Sequence, residues 1–262
     1  MLDLFRVVPD DSEVAVRDLV AITALFAITP NATRVAVARL ANAGVLRSSR
    51  RGHYRLTKAA AKLGDWVEAW RHGDARLRPW TNGWLAVALP RGLDRVERQR
   101  CTRALDRFGF RPELANLMVR PDNLAVDTTE LREQLADHGV AAGAELFVMG
   151  ELSPGLHKRF AALWPTATLD RERRRQTKLL QKSTRGLPTR PIEAALVESF
   201  TLGGAAIRLL ARDPLLPEAF GCGDARRELT AAMLEYDKLG RALWAGALEV
   251  ARAPAHTEAA RG

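Results

Sequence analysis

Apolar residues recur at helical spacing over residues 14–27, VAVRDLVAITALFA, and again over 29–44, TPNATRVAVARLANAG. The first run predicts an apolar helix. In the second, Thr29 suits an N-cap, Pro30 the first helical turn and Gly44 the C-terminal stop, so a short capped helix is expected between them. At about 100° per residue, Thr33, Ala36, Val37 and Leu40 share one face, which would be buried against the first helix. The opposite face carries Asn31, Val35, Ala38 and Asn42, flanked by Arg34 and Arg39, and has no carboxylate.

The next segment, VLRSSRRGHYRL, predicts strands over 45–48 and 53–56 joined by Arg50, Arg51 and Gly52. Two helices followed by a basic hairpin make a winged helix-turn-helix. Thr57 can then cap a helix in which Leu63, Trp66, Val67 and Trp70 form an apolar stripe, for core packing or for lining a ligand pocket. His72 and Gly73 end that helix, and DARLRPW reads as a linker.

From Trp84 the pattern alternates between periods. Strands are expected over 84–89, 114–120 and 144–151, and helices over 93–108, with Val96, Cys101, Ala104, Leu105 and Phe108 inward, and over 129–138. A further short strand near 124–126 would complete a ferredoxin-like βαββαβ unit. The remainder reads as helices over 156–164, 171–183, 192–210 and 224–248, followed by a frayed tail. Gly203-Gly204 marks a kink, a close helix contact or room for a ligand. The cationic run Arg171, Arg173, Arg174, Arg175, Lys178 and Lys182 is a solvated face or a phosphate-binding one.

Composition narrows the function. The 262 residues carry a formal net charge of +9 and a pI near 10.3, favouring an anionic partner, of which nucleic acid is the simplest. Cys101 and Cys222 are the two cysteines, without a CxxC, so neither a disulfide framework nor a structural zinc site is expected and a reducing cytoplasm is the expected compartment. No apolar run is expected to cross a bilayer, and MLDLFRVVPDDSE does not resemble a signal peptide. The sequence has no GxSxG, P-loop, HExxH or GxGxxG, and its five histidines, 53, 72, 138, 157 and 256, have no metal-ligand spacing. No catalytic residue, metal or cofactor is therefore assigned.

A carboxylate-free helix face suits a DNA major groove. Small side chains at Val35 and Ala38 let the backbone approach base edges, and Asn31, Asn42, Arg34 and Arg39 are of the types that pair bidentately with adenine or guanine. Arg50, Arg51 and His53 on the hairpin would meet phosphates or the minor groove. The alternative is a small helical domain with a solvated basic hairpin.

The stretches RVAVARLANAGVL, RRGHYRLT, Pro79 to Trp84 and Arg212 to Pro217 together resemble the PaaX family of bacterial transcriptional regulators across nearly the whole chain. The resemblance implies an N-terminal winged helix-turn-helix, a central ferredoxin-like domain similar to Cas2 and a helical C-terminal domain. Its best-known members repress aromatic-acid catabolism and release DNA on binding an aryl acyl-CoA. The chain departs from the pattern before residue 14, where such proteins carry another helix, so that helix is expected to be short, absent or lost. It departs again at Pro90 and Arg91, which stand where Cas2 nucleases place a metal-binding aspartate, so a scaffold and dimerisation surface is implied without nuclease activity.

The sequence thus predicts an α+β multidomain chain. Its expected parts are a winged domain at 1–73, a ferredoxin-like, Cas2-like domain at 78–151, a helical domain at 153–250 and a tail at 251–262. The expected partners are operator DNA, a second copy and a small-molecule effector such as an acyl-CoA, for which Trp80, Trp84, Trp164 and Arg208 are candidate contacts. The other readings are an effector-binding or scaffold protein of the same architecture without DNA recognition, and a metal-dependent nuclease.

Overall fold

The computed structural model describes residues 13–252, the side chains of 248–252 excepted. The chain is α+β, with two antiparallel sheets and a helical C-terminal region. It divides into two compact units. Among the described residues, one comprises 13–62, 179–205 and 233–252, and the other comprises 63–178 and 206–232. The segment before residue 13 and most of the expected tail lie outside the described residues.

The first unit begins with β1 (Val14–Ala15), α1 (Val16–Ala24) and α2 (Pro30–Asn42), followed by β2 (Leu46–Arg50) and β3 (His53–Leu56). The expected helix over 14–27 therefore starts two residues late. Val14 and Ala15 pair with Tyr54 and His53, so the hairpin becomes a three-stranded sheet of order β1-β3-β2. Both residues are buried. The core of this unit joins Leu19, Ile22, Val37 and Leu46 to Leu196 and Trp244, which come from the long C-terminal helices α8 (Ile192–Ala211) and α9 (Gly223–Arg252). Phe26 meets Phe200 edge-on at 5.1 Å between ring centroids.

Gly203 and Gly204 do not interrupt α8, which is continuous through them. A Cβ on Gly203 would lie 3.5 Å from Met233 Cε and 3.6 Å from Tyr236 Cε1, so the close helix contact is the alternative realised. Contrary to the expectation of no membrane-length run, α8 is long and apolar enough to cross a bilayer by length and composition. Its Leu196 side is buried in the core just described.

The second unit holds α3 (Lys58–Glu68) from its residue 63 onward, β4 (Trp84–Ala88), α4 (Arg95–Arg107), β5 (Arg111–Leu114), β6 (Leu117–Pro121), α5 (Thr128–Asp137), β7 (Glu145–Met149) and α6 (Pro154–Ala161). The first part of α7 (Thr166–Gly186) belongs to it as well. The sheet order is β5-β6-β4-β7 with every neighbouring pair antiparallel. Strand β4 reads WLAVA, and both of its faces are covered. Leu85 and Val87 pack with Cys101, Leu105, Leu131 and Leu135 of α4 and α5, while Trp84 and Ala86 pack with Phe160, Trp164, Leu216 and Cys222. A strand buried on both faces reads as a continuous apolar run instead of an alternating one. Both cysteines are free thiols.

Several expectations are corrected in this unit. The single strand expected over 114–120 is a hairpin, because Ala115 and Asn116 form a tight turn held by Arg98, whose Nη1 donates to Ala115 O at 3.1 Å and Asn116 Oδ1 at 2.8 Å. Residues 124–126 supply only an isolated bridge between Leu124 and Leu77, and β5 takes the place expected for them. The expected linker over 74–80 is helical in its first three residues, because the 3-10 helix Ala69–Arg76 continues through a kink at Gly73. Leu63 is 39% exposed and Val96 74% exposed, both off the buried lines of their helices, whereas Trp70 is fully buried. Gly109 has φ +79°, and a Cβ there would lie 2.6 Å from Pro214 O, so glycine is required by both conformation and space.

The cationic run of α7 is not uniformly solvated. Arg173 is buried, with Nη2 2.6 Å from Asp213 Oδ2 and Nη1 donating to Cys222 O at 2.9 Å. Arg171, Arg174, Arg175, Lys178 and Lys182 are exposed. Asp213, from the DPLLP segment, also accepts from Leu215 N at 2.8 Å and lies 4.0 Å from Arg226.

Candidate nucleic-acid interface

Helix α2 begins where the sequence expects it. Thr29 Oγ1 accepts from Ala32 N at 3.3 Å, and Pro30 takes the first turn, where no N–H is needed. At the other end Gly44, with φ +70°, reverses the chain into β2. The helix is fixed from below by Val37, by Thr33 and by Thr23 of α1, all buried.

That anchoring leaves Asn31, Arg34, Val35, Ala38, Arg39 and Asn42 exposed together along α2, with Val35 42% exposed. No carboxylate lies among them. Beside them opens a groove of about 650 Å³ lined by Arg17 and Val20 of α1, Arg34 of α2 and Gly52, His53 and Tyr54 of the hairpin. A cationic groove between an exposed helix and a hairpin matches the needs of a phosphate backbone. Arg17 was not singled out by sequence, because it lies on the first helix and only the fold carries it to Arg34.

On the hairpin, Arg51 is exposed, and His53 is half-buried with Nδ1 3.1 Å from Arg51 O. Arg50 is engaged: its Nε donates to Glu13 Oε2 at 3.1 Å. Beside Ser49 and Arg50, the Glu13 carboxyl is held below the usual carboxylate range. Two further cations escape a reading of the turn alone. Arg47 of β2 stands directly opposite Arg55 of β3, on the face away from Leu46, Tyr54 and Leu56. Like charges directly opposite repel, and Arg55 Nε is buried without a hydrogen-bond partner, so an anion seated between them would relieve both. The period-2 alternation of LRSSR and HYRL is the signal that could have found them.

The three candidate tryptophans are brought together, in the second unit. Trp84 stacks on Trp164 at 6.0 Å between centroids and donates Nε1 to His157 Nδ1 at 3.3 Å, and Trp80 meets Trp84 edge-on at 5.8 Å. Trp84 is 0% exposed and Trp164 3%, so they form the core under β4, with Trp80 half-buried above. Arg208 is exposed and is not part of this cluster. Among the described residues no group of three His, Cys, Asp or Glu side chains could hold a metal ion.

Comparison with known proteins places the N-terminal segment first. Residues 2–60 match the family described as PaaX-like protein, which shows the resemblance carried by the helix pair and hairpin. Among solved structures, the chain is similar to the uncharacterized protein Rv0674 from Mycobacterium tuberculosis. The TM-score is 0.51 at 21% identity, covering 92% of this chain and 96% of that one, a likeness of fold across both units. No curated protein sequence matches the chain.

Proposed function

We propose that the protein is a ligand-responsive, sequence-specific DNA-binding transcriptional regulator, acting as a repressor of a catabolic operon in the cytoplasm. The observation that carries this reading is the exposed, carboxylate-free face of α2 beside a basic hairpin, within a segment that matches a family of transcriptional regulators. In this reading α1, α2 and the three-stranded sheet are a winged helix-turn-helix at residues 1–73. Asn31, Arg34, Val35, Ala38, Arg39 and Asn42 face the major groove, and Arg50, Arg51 and His53, joined by Arg17, Arg47 and Arg55, hold the backbone.

The βαββαβ order of the second unit supports a ferredoxin-like, Cas2-like domain at 78–151, with a helical domain over 153–250. Pro90 and Arg91 follow β4 and supply no carboxylate for a metal, which favours a scaffold and a homodimer surface over a nuclease. A homodimer would set two copies of α2 about one DNA turn, or a multiple of it, apart on a pseudo-palindromic operator. An effector changes that separation by favouring one arrangement of the chain.

The test is binding of the purified chain to promoter DNA of its neighbouring genes and to unrelated DNA across a salt series. Retention on the promoter that survives competitor, with a steep negative slope of log K against log salt, is expected. Equal and weak binding to both DNAs would overturn the reading.

A further inference from the structure

Within the second unit, a cavity of about 400 Å³ opens beside the 3-10 helix that follows α3. Its walls are apolar: Trp66, Phe108, Leu124, Val126 and Leu215 line it. Trp66 and Phe108 lie 6.5 Å apart between centroids and are tilted at 47°, a ring-on-ring contact that gives the cavity one aromatic wall for an aromatic or branched body to pack against. Three arginines, Arg76, Arg107 and Arg120, are also among its lining residues.

These three arginines differ in what they have left to offer. Arg120 is committed to the protein: it donates to Phe108 O, to Pro121 O at 3.0 Å and to Asn123 Oδ1 at 3.0 Å. Arg76 donates Nε to Gly73 O at 3.1 Å, and burial, opposed by Asp213, pushes its guanidinium below the usual arginine range. Arg107 is half-buried at the C-terminal end of α4 and makes no ion pair or side-chain hydrogen bond among the described residues. The one carboxylate on the lining, Asp213, accepts from Leu215 N and pairs with Arg173; it favours the charge on Arg76 but makes no ion pair with Arg107. An apolar cavity with the unpaired, half-buried Arg107 among its lining residues suits an anion with an apolar body.

We propose that this cavity binds a small aromatic or branched-chain monocarboxylate, its body against the wall formed by Trp66 and Phe108 and its carboxylate on Arg107. This deepens the regulator reading by giving its effector a place and a chemical class. It differs from the tryptophan cluster with Arg208 suggested by the sequence, since Trp84 and Trp164 are sealed in the core.

The experiment is a titration of the full chain with 3-phenylpropionate and 4-methylvalerate, and with 3-phenylpropanol as the uncharged control, followed by calorimetry and tryptophan emission. One saturable site per chain is expected, with the acid at least about tenfold tighter than the alcohol and emission quenched through Trp66. Arg107→Gln should weaken the acid about tenfold and leave the alcohol unchanged. Ala125→Trp, at an exposed position on the rim, should block both while leaving the thermal melt in place. A folded protein that takes neither acid, or binds acid and alcohol alike, overturns the proposal, as does binding unmoved by both substitutions. DNA binding is measured separately. Acid binding without promoter recognition would overturn the regulator reading alone, and promoter recognition without acid binding would overturn the cavity alone.

Discussion

The hydroxyl oxygens of Thr23 and Thr33 lie 2.7 Å apart where α1 crosses α2, and both residues are buried. Thr23 Oγ1 also lies 2.7 Å from Leu19 O and Thr33 Oγ1 3.3 Å from Thr29 O, so either hydroxyl can supply the shared proton. The exposed face of α2 is thus aimed by one shared hydrogen bond. Thr23→Val and Thr33→Val should each cost about 1 kcal/mol, measured by urea unfolding. The double substitution should cost less than the sum, because the bond is lost once. An additive cycle would show that the hydroxyls do not bond.

In the proposed reading, Arg34 and Arg51 would separate recognition from attraction. If Arg34 or Asn31 reads a base, Arg34→Ala or Asn31→Ala should cost about 1 to 3 kcal/mol on the operator and relax specificity at one position. Arg47→Ala and Arg51→Ala should weaken all sequences alike and each reduce the salt slope by about 1. Fluorescence anisotropy on operator and scrambled duplexes checks both, and identical effects from the two groups would place the docking face elsewhere.

In the proposed reading Glu13 would compete with DNA for Arg50, whose Nε it holds at 3.1 Å. Its carboxyl is depressed by Ser49 and Arg50, so the pair persists above the ordinary carboxylate range and is released only as pH falls through the lowered value. Glu13→Gln should therefore raise affinity for any duplex and steepen its salt dependence at neutral pH. No gain over the native chain would mean that Arg50 does not reach phosphate.

What was legible in the sequence and what was not divides by the range of the interaction. The cap at Thr29, the stop at Gly44 and the buried line through Thr33 and Val37 are set within one or two turns, and they stand as expected. The exposure of the six α2 residues follows from the same periodicity. Events decided by a distant partner were hidden. Val14 and Ala15 read as helix because nothing local shows that Tyr54 and His53 will pair with them. Arg173 reads as one cation in a solvated run until Asp213 arrives from another segment, and the Trp66–Phe108 contact joins residues 42 positions apart. The turn at Ala115-Asn116 lacks glycine, and its stabilising Arg98 lies on α4, so one strand was read where two exist.

Asp74 gives the second unit an acid-side dependence with a definite sign. Burial alone would raise its carboxyl, but Arg226 Nε at 2.8 Å and Arg227 Nη1 at 3.2 Å more than offset that and hold it low. A depressed folded value means stability that is fully present above the unfolded value near about 3.9 and lost as pH falls through the folded one. Thermal melts of Asp74→Asn should lie below the native chain at neutral pH and converge with it at acid pH. Parallel pH profiles would show that the pair contributes nothing to stability.

The Arg173–Asp213 pair makes a sharper prediction, because both side chains are 1% exposed and 2.6 Å apart. Removing one partner strands the other charge in a place where water cannot reach it. Asp213→Ala should therefore cost about 3 to 5 kcal/mol, far more than Asp224→Ala, whose carboxylate holds exposed Arg227. Arg173→Met, which keeps much of the volume, leaves Asp213 facing Arg226 at 4.0 Å and the Leu215 N–H at 2.8 Å. Its cost should be smaller than that of Asp213→Ala, because the carboxylate keeps both of these partners, whereas the buried Arg173 guanidinium would keep only the longer 3.4 Å contact to Asp170 and the Cys222 carbonyl at 2.9 Å. Denaturant unfolding of the three variants gives the order. If Asp213→Ala proved no more harmful than Asp224→Ala, water would have to enter the DPLLP segment in solution, and the cavity beside it would be wetter and less selective for an apolar acid.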